Sequence, residues 1–132
     1  HVTDIEKTLS EIKRVLTQEG TLYATTNSSE SMAELHELMN NFDSSLGLNN
    51  CGMGDRFNME GGQLLLKKHF REAKVEISQG KIVVSDAEPV VSYAASTIRG
   101  NSILVGEKRK EFEKYVEGII REKGNISITT KS

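Results

Sequence analysis

A helix that runs straight into an uncharged, β-branched segment is the feature that most restricts the fold of this chain. Ile5, Leu9, Ile12, Val15 and Leu16 recur at helical spacing, while Glu6, Lys7, Lys13 and Arg14 occupy the opposite face. Asp4 is placed to cap the start, and Gly20 to stop the run. Thr21-Leu22-Tyr23-Ala24-Thr25-Thr26 follows at once, β-branched and aromatic with no charge, the pattern of a strand covered on both faces. Such a strand needs parallel neighbours reached by a crossover. None precedes it here, so the spacing points to a truncated chain whose front half held those neighbours.

Further on, Asn27, Ser28 and Ser29 read as a polar loop, and Ser31 with Glu34 as a capping box. Met32, Leu35, Leu38, Met39 and Phe42 form the apolar stripe of a second helix. Residues 43–62 carry five glycines among Asn, Asp and Ser, the signature of a long surface loop. A short helix is expected from Gln63 to Phe70. Ala73, Val75 and Ile77 alternate as a strand, Gly80 breaks it, and Lys81 to Ser85 resumes it. Asp86 and Pro89 announce a helix through about Ile98. Glu107 to Lys123 is strongly amphipathic and capped by Gly124, and Ile126 and Ile128 alternate in a final strand. The expected order is α-β-α-α-β-β-α-α-β.

With 132 residues, the chain is long enough for one domain or part of a larger one. Its net charge of −2 gives no electrostatic footprint for nucleic acid or an anionic membrane. The apolar runs are too short for a membrane span. His1-Val2-Thr3-Asp4 carries neither the basic nor the apolar region of a signal peptide, so a cytoplasmic location is expected. The single cysteine, Cys51, excludes an internal disulfide framework and a multi-cysteine zinc site.

The stretch His1-Val2-Thr3-Asp4, Leu9, Glu11-Ile12-Lys13-Arg14-Val15-Leu16 and Gly20 to Thr26 resembles class I S-adenosylmethionine-dependent methyltransferases. It is similar to their segment from the end of the fourth strand through the fifth, close to "H-x-x-D … L-x-E-x-x-R-V-L-K-P-G-G-x-L". Thr17-Gln18-Glu19-Gly20 stands where Lys-Pro-Gly-Gly is usual. Phe57-Asn58, a helix ending at Phe70, Val75-Glu76-Ile77 and Ser85-Asp86-Ala87-Glu88-Pro89 continue the likeness to a small-molecule branch of that family. The resemblance covers essentially the whole chain but only the second half of the catalytic domain. It implies an α/β fold: the C-terminal part of a Rossmann-like sheet, with the fifth strand, later antiparallel strands and a helical cap inserted between them. Residues 1–86 would be partial core, 87–123 the cap and 124–132 the final strand.

The family holds its cofactor with a glycine-rich turn after the first strand and an acidic residue ending the second. Both precede the part represented here. Gly52-Met53-Gly54 and Gly61-Gly62 do not follow a convincing strand and do not replace them. S-adenosylmethionine is therefore a cofactor of the intact parent, and tight binding to this chain alone is not expected. By the resemblance, His1 falls in the loop beside the cofactor. Thr25, Thr26 and Asn27 end the expected parallel strand, at the edge where open α/β sheets bind ligands, and so are candidate substrate contacts. The alternative is that they form a polar turn capping the next helix.

The remaining candidates read as ordinary structure. His36 and His69 lie on or beside expected helices and read as solvated or core-edge rather than as metal ligands. Cys51 lacks the electropositive setting of a reactive thiol. Asp86 and Glu88 read as structural, Asp86 as a helix cap, and Glu107-Lys108-Arg109-Lys110-Glu111 as a solvated face.

The leading expectation is the C-terminal half of a methyltransferase acting on a small-molecule acceptor and inactive alone, with no nucleic-acid or membrane partner. Two rivals stand beside it: an independently folded, non-enzymatic α/β binding domain, and one chain of a split enzyme. If the front strands are absent, the uncharged edge of 21–26 is unpaired, and self-association through it is expected.

Overall fold

The computed structural model of the chain describes residues 2–47 and 57–132. These fall into two compact units, residues 2–31, 57–79 and 131–132 in one, and 32–47 and 80–130 in the other. The breaks expected at 86/87 and 123/124 do not coincide with this division.

The unit of residues 32–47 and 80–130 is built from three helices of two turns or more, two shorter pieces and a strand pair. Helix α2 spans Ala33–Phe42 and leads into a 3-10 turn at Ser44–Leu46. Helix α4, Ala87–Ser96, starts on Asp86, whose carboxylate accepts from the Glu88 N–H at 3.0 Å. A short turn of helix, α5, covers Gly100–Ile103, and α6 covers Gly106–Lys123. Gly124 ends α6 with φ 83°, a backbone angle that favours glycine. Gly100 is needed for another reason: a Cβ there would lie 1.8 Å from the Ala94 carbonyl oxygen.

Strand β1, Gln79–Val84, pairs antiparallel with β2, Ile126–Lys131. Ser78 and Ser132, just beyond the strand ends, exchange reciprocal backbone bonds of 2.7 and 2.9 Å. That register sets Gly80 opposite Thr130, Ile82 opposite Ile128 and Val84 opposite Ile126. Ile126 and Ile128 are buried in one core with Leu35 and Met39 of α2, Val90, Val91 and Ala94 of α4, and Phe112 and Val116 of α6. Phe42 meets Phe112 edge-on at 5.0 Å and Tyr115 at 5.4 Å, so the aromatic side chains of α2 and α6 lock together. Helices 87–123 thus share their core with the strand that follows them.

The other unit contains α1, Ile5–Val15, and α3, Met59–His69. Asp4 caps α1 as expected, accepting from the Lys7 N–H at 2.9 Å. Helix α3 starts four residues before the expected Gln63, because Asn58 accepts from the Gly61 N–H at 2.7 Å and nucleates the first turn. Gly61 and Gly62 therefore belong to a helix and not to the loop.

Three further expectations are corrected. Thr21 to Thr26 forms no strand, and Tyr23 is 90% exposed. A strand exists only when its backbone is paired, and among the described residues no extended neighbour runs along this one. Ala73 to Ile77 forms no strand either; backbone pairing begins at Ser78 and the strand runs from Gln79 through Gly80, whose absent side chain leaves room for Thr130. The capping box also fails. Helix α2 is capped by Met32 at φ 61° without a side-chain bond, because Ser31 and Glu34 are committed to β2. The Ser31 hydroxyl accepts from the Lys131 N–H at 3.1 Å. Glu34 accepts from the Thr129 N–H at 3.0 Å and from its hydroxyl at 2.6 Å.

Mixed α/β architecture is thus observed, with a two-stranded antiparallel sheet rather than parallel strands among the described residues.

Candidate functional site

The residues expected to contact substrate lie where the chain after residue 26 meets the start of α3. Thr26 donates its hydroxyl to the Phe57 carbonyl at 2.5 Å, and the Asn27 carbonyl accepts from the Met59 N–H at 3.0 Å. Neighbouring Ser28, the one buried polar residue of the described chain, donates its hydroxyl to Glu60 at 2.6 Å and accepts from the Glu30 N–H at 3.2 Å. Its own N–H reaches the Lys131 carbonyl at 2.9 Å. Glu60 also receives the Ser29 N–H at 3.4 Å.

This lattice is chiefly a fastening. The Ser28 hydroxyl stabilises the charged Glu60 carboxylate and holds it below the ordinary glutamate range. Lys131 sits 2.9 Å from Glu30, whose carboxylate raises the lysine above its usual value. Thr26 and Ser28 thereby spend their hydroxyls within the protein. The Thr25 hydroxyl and the Asn27 side-chain amide have no hydrogen-bond partner among the described residues, and both residues are exposed. Of the three candidates, these two keep polar groups with which to meet a ligand. The turn does not cap α2, as the alternative reading held; it anchors α3 instead.

Sequence reasoning passed over Ser28 and Glu60 as partners. Asn58 followed by an acidic Glu60 was a legible helix start, but a bond between residues 32 apart leaves no local signature.

The other candidates are placed as follows. His1, Cys51 and Gly52-Met53-Gly54 lie outside the described residues. His36 is half-buried on α2, and burial lowers its pKa. His69 Nε2 lies 2.5 Å from Glu6 Oε2 and Lys68 Nζ 3.3 Å from Glu6 Oε1, which ties the end of α3 to α1. Hydrogen bonds from these two partners lower the Glu6 pKa, His69 contributing most. Among the described residues no group of His, Cys, Asp and Glu could hold a metal. Glu88 accepts from the Ser92 hydroxyl at 2.5 Å, and Lys108 pairs with Asp43 at 2.5 Å. An open surface groove of about 350 Å³ is lined by Asp86, Glu117, Ile120 and Arg121, and carries no nucleophile paired with a base.

Among the described residues no helix is long and apolar enough to cross a membrane. Comparison with family models, with curated proteins and with solved structures found no match for the chain.

Proposed function

We propose that this chain is the C-terminal half of a class I S-adenosylmethionine-dependent methyltransferase acting on a small molecule, and that alone it is inactive. The observation that carries the reading is the order of the later elements. Two antiparallel strands are separated in sequence by a helical segment opened by Ser85-Asp86-Ala87-Glu88-Pro89, the arrangement that the resemblance implies.

A second observation favours a fragment over a self-sufficient binding domain. The unit of residues 2–31, 57–79 and 131–132 leaves Val15 66%, Tyr23 90%, Leu64 65% and Ile77 61% exposed, apolar surface suited to a missing covering layer. In this reading the chain supplies acceptor-site walls, with Thr25 and Asn27 facing the acceptor, and the absent half binds the cofactor. S-adenosylmethionine held by that half would supply the methyl group, and this chain would contribute positioning of the acceptor.

Titration calorimetry with S-adenosylmethionine tests this on two chains: the 132-residue chain, and one extended upstream of His1 in its reading frame. Weak or absent binding is expected for the first, and clear binding for the second through a glycine-rich strand-turn-helix. Low-micromolar binding by the short chain, or no binding by the extended one, overturns the proposal.

A further inference from the structure

The expected open edge at Thr21 to Thr26 does not exist as a strand, but the fold presents another. In β1 the even-numbered residues direct their backbone groups to β2, as the Ser78–Ser132 exchange fixes. Gln79, Lys81 and Val83 therefore direct theirs away from it, and β1 has no second neighbour among the described residues. The strand is exposed for five of its six residues, with Ile82 45% and Val83 60% exposed. No proline or bulge blunts it. The outer edge of β2 is treated differently: there Glu34 takes the Thr129 N–H, and the Met32 N–H binds the Thr129 carbonyl at 2.8 Å.

Lys81 is the one charge on β1, the residue type that ordinarily guards an edge. Across the ladder it lies opposite Thr129, which Glu34 grips, and the attraction between Lys81 and Glu34 is one of the causes lowering the glutamate.

We propose that the β1 edge is a homodimer interface, in which a second copy of this chain pairs antiparallel about a two-fold axis at Ile82. Three two-fold registers pair at least two of Gln79, Lys81 and Val83 with the outward residues of the second β1. An axis through Lys81 sets lysine directly against lysine and is disfavoured. An axis through Gly80 brings two residues without side chains together. An axis through Ile82 sets Ile82 against its own copy on the core side of the sheet, and sets each Lys81 against a Val83. That register has no like charges opposed and joins the exposed isoleucines, so the two cores continue through a four-stranded sheet. The contact is isologous and closes at two copies. Its small area makes it weak and concentration-dependent. The inference is independent of the methyltransferase reading, since it uses only β1 and β2.

Sedimentation equilibrium over a wide concentration range, on the full 132-residue chain, tests it. The chain is expected to dimerise. Val83→Pro deletes an outward N–H without touching the ladder to β2, and is expected to weaken the dimer at least tenfold. Val83→Glu sets a carboxylate against Lys81 of the second copy and is expected to tighten the dimer severalfold, with the gain lost in high salt. A chain monomeric throughout, a dimer indifferent to Val83→Pro, or one weakened by Val83→Glu overturns the proposal. Val83→Glu also decides the matter if Val83→Pro fails to fold.

Discussion

Phe112, Leu35, Met39, Leu46, Leu104 and Val116 are the largest fully buried side chains of the described residues, and all lie in the unit of residues 32–47 and 80–130. In the unit of residues 2–31, 57–79 and 131–132, Leu9 is the one hydrophobic side chain counted as buried among the described residues. Helices exist in both, and the better-capped ones lie in the less buried unit: Asp4 and Asn58 cap α1 and α3 there, whereas in the other Asp86 caps α4 and α2 and α6 start without a side-chain cap. Capping settles where a helix starts, for about 1 kcal/mol each. Burial of apolar surface settles whether the helix stays folded, at about 25 cal/mol per Å². One unit therefore has what it needs to stand by itself. The other is held by surface ion pairs such as Glu6 with His69 and Lys68, and by the polar lattice around Ser28. Exposed ion pairs contribute little.

Native-state hydrogen exchange gives the largest expected contrast. Amides of α4 and α6 should exchange only by global opening of their unit, while those of α1 and α3 exchange on the order of 100-fold faster by local opening. Equal protection in α1 and α6 would break the comparison.

Substitution sharpens it. Phe112→Ala empties the centre of the aromatic cluster and should cost about 3–5 kcal/mol, read as a shift in denaturant midpoint. Leu9→Ala should leave the main transition of the other unit unmoved, read by exchange at α6. A Leu9→Ala change that destabilises α6 would show that the two units unfold as one.

Acid gives the smallest effect. A hydrogen bond from Lys108, and then those from Ser45, hold the Asp43 carboxyl well below its usual range. The folded pKa is depressed, so this contribution is present above the unfolded value of about 3.9 and is lost as pH falls below it. Glu34, lowered mainly by the Thr129 hydroxyl, acts in the same direction. The melting temperature of the unit holding both should fall on acidification from pH 5 to pH 3, in a series read by circular dichroism. Asp43→Asn should make that fall shallower. An unchanged slope would show that the Lys108 contact is not populated in solution.

How much was legible follows from the range of each interaction. Helix α1 with its Asp4 cap, α4 with its Asp86 cap, α6 and its Gly124 stop were all readable, because their signals lie within a turn of the residues they govern. The final strand was readable from Ile126 and Ile128, though its end at Lys131 was not. The candidate site was readable only in part. Asn27 was expected in a polar loop and Thr26 at the end of a strand that does not form, and their partners Phe57 and Met59 are some 30 residues away.

The sequence by itself determined that α1, α2, α4 and α6 are helices, and the Asp4 and Asp86 caps and the Gly124 stop, since periodicity and first-turn chemistry are local properties of the chain. Only the tertiary structure decided which extended segments became strands. Thr21 to Thr26 and Ala73 to Ile77 have the composition of strands and form none, whereas Gln79 to Val84 forms one across a glycine. Tertiary structure likewise turned Ser31 and Glu34 from a helix cap into clasps on β2. A helix satisfies its backbone from within, four residues away. A strand satisfies it on another segment, and composition alone does not say which segment will be there.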